Sequence, residues 1–246
     1  MSSPPEGQQW VAALRSSAWF ASLPEELATR LASSAVSRRL TVGQQLFARY
    51  DAFDGLYCVI DGFIRLGGIR EEGQEAILAI VGSPQWFGEI ALFDSESRTH
   101  DAWAETDVKL LHVRERDLLK MLGEKPEYWK EFGRLLTQKL RAVFVAVENH
   151  VALPPTARLA YRLGSMAASY GAYIDRRLRI LKVSQEQLGL MLGLSRQTVN
   201  ASLNDLEKNG AIRRHRGAIE IIDPETLQAC YEKFGSPLKE TGSPGR

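Results

Sequence analysis

The chain has 246 residues, of which 44% are hydrophobic and 25% charged, with 20 Gly and 10 Pro. Those proportions belong to an ordinary folded protein, so disorder is excluded as its main state, and the length favours two domains over one compact core. The net charge of +1 conceals two opposed parts: residues 1–153 hold 17 Lys and Arg against 21 Asp and Glu, whereas residues 154–246 hold 14 against 9. An acidic module joined to a basic one suggests that the second meets a polyanion.

Two cysteines, Cys58 and Cys230, are too few for a metal cluster or a disulfide framework, which fits a reducing compartment. The opening segment MSSPPEGQQW has no basic run followed by an apolar one, and the longest apolar stretch, at 76–81, is short. Neither a signal peptide nor a membrane span is expected, and the reading is a cytoplasmic protein without membrane partners.

In chain order, residues 1–9 and 235–246 lack apolar periodicity and are expected to be mobile. Val11, Leu14, Phe20, Leu23, Leu27 and Leu31 then recur at helical spacing, with Ser22 as a cap and Pro24 in a first turn, predicting two or three short helices. Between Val36 and Val113 the texture changes to short β-prone runs. They are punctuated by Asp54-Gly55, Asp61-Gly62, Gly67-Gly68, Glu72-Gly73 and Val81-Gly82. Closely spaced strands with Gly turns predict an antiparallel sandwich or barrel and disfavour a dinucleotide-binding enzyme, the more so because Gly67 and Gly68 form no GxGxxG pattern.

From Glu124 the chain reads as a long helix on which Gly133, Leu136, Leu140, Val143, Val147 and His150 fall at alternating spacings of three and four. That is a heptad seam, and its length favours a dimer interface, formed by Leu136, Leu140, Val143, Phe144, Val147 and His150, over packing on its own domain. Pro154-Pro155 ends the helix, because proline disfavours helical conformation in its predecessor and cannot continue the ladder. The domain boundary is placed there.

A helix from Thr156 to about Tyr170 follows, then VSQEQLGLMLGLSRQTVNASLNDLEKNGAIRRHRGAIEIID. Ser184 and Gln187 form a capping box, and Gly193 allows a sharp turn. Ser195 caps a second helix that buries Val199, Leu203 and Leu206 and stops at Asn209-Gly210. The pattern is a helix-turn-helix, and its second helix presents Arg196, Gln197, Asn200, Ala201 and Asn204 outward, with Ser195 and Thr198 at the same end. Arg can bridge guanine O6 and N7, and Gln or Asn can bridge adenine N6 and N7. Any solvent-facing helix start is polar; the adjoining segment decides the matter, because residues 212–222 read as a β-hairpin wing carrying Arg213, Arg214 and Arg216, suited to phosphate.

In the first half, FGEIALFDSESRTHDAWAET places Gly88 in a turn beside Glu89, with Arg98 nine residues beyond Glu89 and Thr99 next to it. Backbone N–H groups, a guanidinium and a hydroxyl in this order suit a phosphate, and Glu89 suits a ribose hydroxyl. An ordinary ion pair is the competing reading.

With these residues on view, the chain from about Trp19 to Phe234 resembles the Crp–Fnr family of bacterial transcription regulators. Gly88, Glu89, Arg98 and Thr99 resemble its phosphate-binding cassette, and LGLSRQTVNASLNDLEKNGAI resembles its DNA-reading signature. The resemblance implies an α+β fold. It consists of a flexible N-terminus with a first helix (1–18), an antiparallel effector-binding β-roll of the cyclic-nucleotide-binding jelly-roll type (19–122), a dimerisation helix (123–153), a winged helix-turn-helix (154–234) and a flexible tail (235–246). It also implies a homodimer on an inverted-repeat operator in double-stranded DNA, RNA polymerase as a partner, and cyclic AMP or cyclic GMP as the possible effector.

Departures from the family pattern narrow this. His100 and Asp101 follow the Arg-Thr pair where a small residue is usual, and Val143 and Phe144 replace the Thr and Ser that reach adenine. Gln197 and Ala201 stand where Glu and Arg are frequent, so the half-site should differ from those of well-known members. The absence of N-terminal cysteines excludes an iron–sulfur sensor, and His100, His112, His150 and His215 show no ligand spacing, so no metal is expected. No catalytic constellation can be assembled, and the chain is read as a regulator, not an enzyme. The alternatives are a cyclic-nucleotide module acting through a protein partner, or a DNA-binding regulator that needs no effector.

Overall fold

The structure, a computed structural model, describes residues 10–69, 75–169 and 180–234; the expected mobile ends, the Glu72-Gly73 turn and the expected helix end at Tyr170 lie outside these residues. The chain forms two compact units, residues 1–139 and 140–246.

Three short helices open the first unit: α1 (Val11–Leu14), α2 (Ala18–Ala21) and α3 (Glu25–Ser34). Ser22 is not the cap of α3. Its backbone N–H bonds to the Ala18 and Trp19 carbonyls and its hydroxyl donates to Trp19 O at 2.8 Å, so it closes α2 instead. Pro24, extended, takes the cap position of α3, and Glu25 and Glu26 occupy the first turn, where acidic groups complement the helix dipole.

Eight strands follow: β1 (Ala35–Leu40), β2 (Gln45–Phe47), β3 (Gly55–Asp61), β4 (Ile64–Ile69), β5 (Glu75–Val81), β6 (Gln85–Phe87), β7 (Asp101–Ala104) and β8 (Val108–Arg114), with α4 (Ile90–Asp94) between β6 and β7. They form two antiparallel four-stranded sheets, ordered β1-β8-β3-β6 and β2-β7-β4-β5. Gly67-Gly68, expected as a turn, lies inside β4 opposite Ile77 and Ala76, at a register shift. The hydrogen-bonded ladder prevails there over the turn tendency of the pair.

β3 is buried on both faces, and its period of two separates two cores. Leu56, Cys58 and Ile60 pack with Trp86, Leu111 and Val113 against the helices, while Tyr57 and Val59 meet Ile64, Phe87, Ala102 and Leu110 between the sheets. The helical side is closed by α5 (Glu115–Glu124) and by the start of α6 (Trp129–Ala152), where Phe132 and Trp19 pack with ring centroids 5.7 Å apart.

The second unit contains the end of α6, α7 (Pro155–Ser169), β9 (Ile180–Leu181), α8 (Gln185–Leu192), α9 (Arg196–Lys208), β10 (Ile212–His215), β11 (Ala218–Ile221) and α10 (Pro224–Glu232). β10, β11 and β9 make a small antiparallel sheet. Leu159, Leu163, Leu188, Val199, Leu203, Leu206, Ile219 and Leu227 are buried, so α8 and α9 are fixed by their apolar stripes. The fold is α+β, with antiparallel sheets, a long helix and a helix-turn-helix in the order expected.

Candidate functional site

In the first unit the chain turns from β6 into α4 at Gly88, whose φ of +94° lies in the region that favours glycine, and a Cβ there would sit 2.8 Å from the Arg98 guanidinium. Glycine is therefore required both by the turn and by the close approach of Arg98. The backbone of Arg98 is clamped in turn: its N–H donates to Asp51 O at 2.8 Å, and its carbonyl accepts from the Tyr50 N–H at 2.9 Å. Tyr50 adopts a left-handed φ of +73°, a conformation that costs a non-glycine residue about 1 kcal/mol and persists only where its surroundings enforce it.

The Arg98 side chain is buried, 3% exposed. One guanidinium nitrogen donates to Gly88 O at 2.9 Å; the other donates to Gly55 O at 2.7 Å and to Asp54 Oδ1 at 2.5 Å. The rings of Phe47 and Phe53 lie 4.5 and 4.9 Å from its charge centre. Nε is buried with no partner among the described residues. Asp54, which the sequence reading did not single out, is thus the anion that Arg98 meets. Asp101 accepts the Arg49 N–H at 2.8 Å.

Asp54 anchors a wider network. It accepts the Tyr57 hydroxyl, and its backbone carbonyl accepts His112 Nε2 at 3.0 Å, while the imidazole stacks on the Tyr57 ring at 4.4 Å. Burial alone would raise the Asp54 carboxyl, but bonds from Tyr57 and Arg98 outweigh it and hold the group below its ordinary value. Burial and the Asp54 carboxylate together push the Tyr57 hydroxyl up, so it stays a donor. Burial also lowers His112, which is therefore neutral at neutral pH.

Glu89 is 2% exposed, and its Oε2 accepts Lys139 Nζ from α6 at 2.7 Å. A buried carboxylate needs such a partner. Lys139 is the second residue the sequence did not reveal; fifty positions separate it from Glu89. Thr99 is exposed, its hydroxyl 2.8 Å from His100 Nδ1. Gly88, Glu89, Arg98 and Thr99 are therefore brought to one corner of the roll. The Thr99 hydroxyl is exposed at this corner, whereas the Nε of Arg98 is buried without a partner among the described residues. A sugar hydroxyl can share Glu89 with Lys139, since a carboxylate offers about four lone-pair sites. These groups fit a cyclic nucleotide, against the opposing charge of Asp54.

In the second unit the helix-turn-helix forms as its spacing predicts. Ser184 and Gln187 make a reciprocal capping box, Gly193 takes φ +60°, and Ser195 Oγ accepts the Thr198 N–H at 3.1 Å. Such caps contribute about 1 kcal/mol each and fix where α9 begins. Ser195, Arg196, Gln197, Asn200 and Ala201 are exposed, while Thr198 and Asn204 are half-buried. Asn200 lies one turn beyond Arg196 and Gln197, at i+4 and i+3, so the three stand near one another at the start of α9, the placement that lets side chains enter a major groove.

The wing differs from the simple picture of three phosphate-seeking arginines. Arg213 and Glu220 are cross-strand partners bonded at 3.3 Å. Arg214 is held by Glu207 of α9, whose carboxylate takes its backbone N–H and its Nε, both at 2.8 Å. These bonds hold Glu207 below the ordinary carboxylate range. The remaining reach of Arg214 goes to Asn200 Oδ1 at 3.1 Å. Arg216 stands exposed at the hairpin turn with Gly217.

Along the last half of α6, Leu140, Val143, Phe144 and Val147 are exposed, Phe144 at 64%, and Val151 extends the row. Leu136 is half-buried, and His150 is exposed, its ring 3.1 Å from an Arg158 nitrogen. An apolar row at spacings of three and four, open to water, is the composition of a helix–helix seam.

Residues 37–125 match the family described as cyclic nucleotide-binding domain, and residues 157–230 the Crp-like helix-turn-helix domain. Among curated relatives, the CRP-like cAMP-activated global transcriptional regulator of Mycobacterium tuberculosis is 30% identical over 186 residues, covering 75% of this chain and 83% of its own length. The cyclic AMP receptor protein of Thermus thermophilus is 29% identical over 214 residues, covering 83% of this chain and 92% of its own. Among solved structures, a transcriptional regulator of the CRP/FNR family, also from Thermus thermophilus, superposes with a TM-score of 0.66 at 27% identity, covering 81% of this chain and all of the other.

Proposed function

The chain belongs to the Crp/Fnr family of transcriptional regulators, and from that premise we propose that it works as a homodimer on an inverted-repeat operator, governed by a cyclic nucleotide held in the β-roll. The observation that carries the DNA-reading part is the capped start of α9, where Arg196, Gln197 and Asn200 stand exposed near one another beside the wing. Two such helices in successive major grooves call for half-sites about 10 bp apart. The exposed seam of α6 supplies the two-fold interface through Leu140, Val143, Phe144 and Val147, flanked by Leu136 and His150. Residues 19–122 bind the effector, 123–153 pair the subunits and 154–234 bind DNA, with RNA polymerase as a further partner. Among the described residues no helix is long and apolar enough to cross a membrane, and a DNA-reading role belongs in the cytoplasm. The chain acts by binding, not by catalysis.

The relatives from Mycobacterium tuberculosis and Thermus thermophilus are named for cyclic AMP, and Gly88, Glu89, Arg98 and Thr99 are the residues we assign to it here. When bound, the nucleotide would supply an anionic phosphate for Thr99 and for the Arg98 guanidinium, once that group is freed from its present partners, and a sugar hydroxyl for Glu89. The ion pairs Arg98–Asp54 and Glu89–Lys139 must be shared or broken, and the second involves α6 itself, which offers a route from the roll to the seam. Those same pairs favour a second reading, a regulator that binds DNA with no effector, because both charged residues of the cassette already have partners.

Gel shifts on a duplex selected from a random pool, with and without cyclic AMP or cyclic GMP, separate the two readings. Tightening by either nucleotide, lost in Arg98→Ala, supports the first; equal affinity in all lanes supports the second. Failure to shift any duplex overturns the DNA-reading proposal itself.

A further inference from the structure

Arg214 was expected on DNA phosphate, yet its contacts point inward along the protein surface. Glu207 takes its backbone N–H and its Nε, and a terminal guanidinium nitrogen of Arg214 stands 2.7 Å from the same carboxylate. A guanidinium carries donors only, so the atom it meets on Asn200 has to be the carbonyl oxygen of the carboxamide, and the bond of 3.1 Å runs to Oδ1. The amide orientation of Asn200 is therefore set by the chain's own chemistry. Asn200 is also exposed, one turn beyond Arg196 and Gln197 on the reading face of α9.

We propose that Arg214 is a positioning residue for base reading: it occupies and orients Asn200 Oδ1, so that Asn200 offers the major groove its NH2 as a donor. This rests on the DNA-reading role given to α9 above. A free Asn recognises adenine through two bonds, accepting from N6 and donating to N7. In this protein Arg214 competes with adenine N6–H for the same oxygen, with a charge-assisted bond that a neutral amine does not match. Drawing electron density toward Oδ1 strengthens the NH2 as a donor. The base edge that rewards donors and asks for no acceptor is guanine, with O6 and N7. Glu207 completes the device. It neutralises Arg214 and fixes it to the helix, so Arg214 acts on specificity without adding a free positive charge for phosphate.

The test uses the full chain and a set of duplexes. Asn200→Ala first identifies the base pair at which preference is lost. At that pair the wild type favours guanine over adenine by about tenfold, the range of one good base contact. Arg214→Met releases the carboxamide and moves the preference to adenine, with binding to random DNA unchanged. Because Arg214 also ties the wing to α9, Asn200→Asp gives an independent reading: its side chain keeps the pairing with Arg214 but presents acceptors alone, and preference shifts toward cytosine N4.

Adenine preference in the wild type overturns the proposal, as does an unchanged guanine preference in either Arg214→Met or Asn200→Asp. A uniform loss on all sequences in Arg214→Met, with a shallower salt dependence, makes Arg214 a phosphate contact and overturns it too. A wild type without any sequence preference is a separate result, which removes the DNA-reading role itself.

Discussion

Two arginines singled out for contact with anions or bases stand in opposite states. Arg98 is enclosed in the roll, where Asp54 and the Gly55 and Gly88 carbonyls take its N–H groups and aromatic rings cover its charge. Arg196 stands exposed in the first turn of α9. The difference is one of solvent. Inside the roll a guanidinium must bring its counter-charge with it, because leaving it unpaired in a medium of low dielectric costs several kcal/mol. At the helix start water serves, and the side chain stays available for whatever polyanion arrives. The roll therefore trades availability for stability, while the DNA-binding unit keeps its chemistry exposed.

The largest effect that can break this comparison is on stability. Arg98→Ala removes the Arg98 donor from the buried Gly55 and half-buried Gly88 carbonyls and leaves Asp54 only the more distant Arg38, at 4.0 Å, as its cation, and should destabilise the roll by about 2–4 kcal/mol, discounted toward the lower value because Asp54 is half open to water. Arg196→Ala should leave the unfolding midpoint where it is. Urea unfolding of the wild type and both variants checks these statements, and equal midpoints would mean that the Arg98 network contributes nothing.

The reverse holds for DNA. Arg196→Ala should cost about 1–3 kcal/mol on the selected operator and little on random duplex, as a base contact does. Titration by fluorescence anisotropy on both duplexes measures it; equal losses on the two would assign Arg196 to phosphate. A smaller change sharpens the account of the roll. Asp54→Asn removes the negative charge that opposes a nucleotide phosphate and weakens the competition for Arg98, so cyclic AMP should bind about tenfold more tightly, a gain near 1.4 kcal/mol. Calorimetric titration gives the answer directly, and unchanged or weaker binding would show that Asp54 does not compete.

What the sequence allowed to be read follows the same division. In the second unit the determinants are local: Ser184 and Gln187, Ser195 and Thr198, and the stripe Val199, Leu203 and Leu206 lie within a few residues of one another, and all form as their spacing predicts. The strands of the roll were legible as strands, but their pairing was not. Asp54 reaches Arg98 across 44 positions and Lys139 reaches Glu89 across 50, through sheet register and helix packing that no spacing rule contains. The Arg214–Glu207 pair had a signal that went unused: opposite charges seven residues apart, flanking the Asn209-Gly210 stop, are placed to meet once β10 folds back along α9. Ser22 and Gly67-Gly68 show the other limit, since the preceding helix and the β4–β5 ladder claimed residues with a strong local tendency of another kind.

The weakest effect is on pH dependence, and it too separates the two units. Burial holds the His112 imidazole below the ordinary histidine value, and the nearby Asp54 carboxylate opposes that shift without reversing it. The unfolded chain therefore takes up a proton at His112 below about pH 6.5 that the folded roll refuses. Stability is complete above that value and declines as pH falls from it toward the lowered pKa of the folded state. Asp54 adds a second decline at lower pH, below the ordinary aspartate range, where its own depressed carboxyl is protonated. His112→Gln keeps a donor for the Asp54 carbonyl and removes the titrating group, so its thermal midpoint should fall less than the wild type's between about pH 7.5 and 5.5, the interval that spans the ordinary histidine value. His100 is lowered as well, by burial first and then by Arg49, and retains its part of the slope in the variant. Identical slopes for the two proteins would mean that the network around Asp54 does not feel His112 charge. Measured without nucleotide, operator affinity across the same interval should change no more in His112→Gln than in the wild type, because α9 presents Arg196, Gln197 and Asn200 to water.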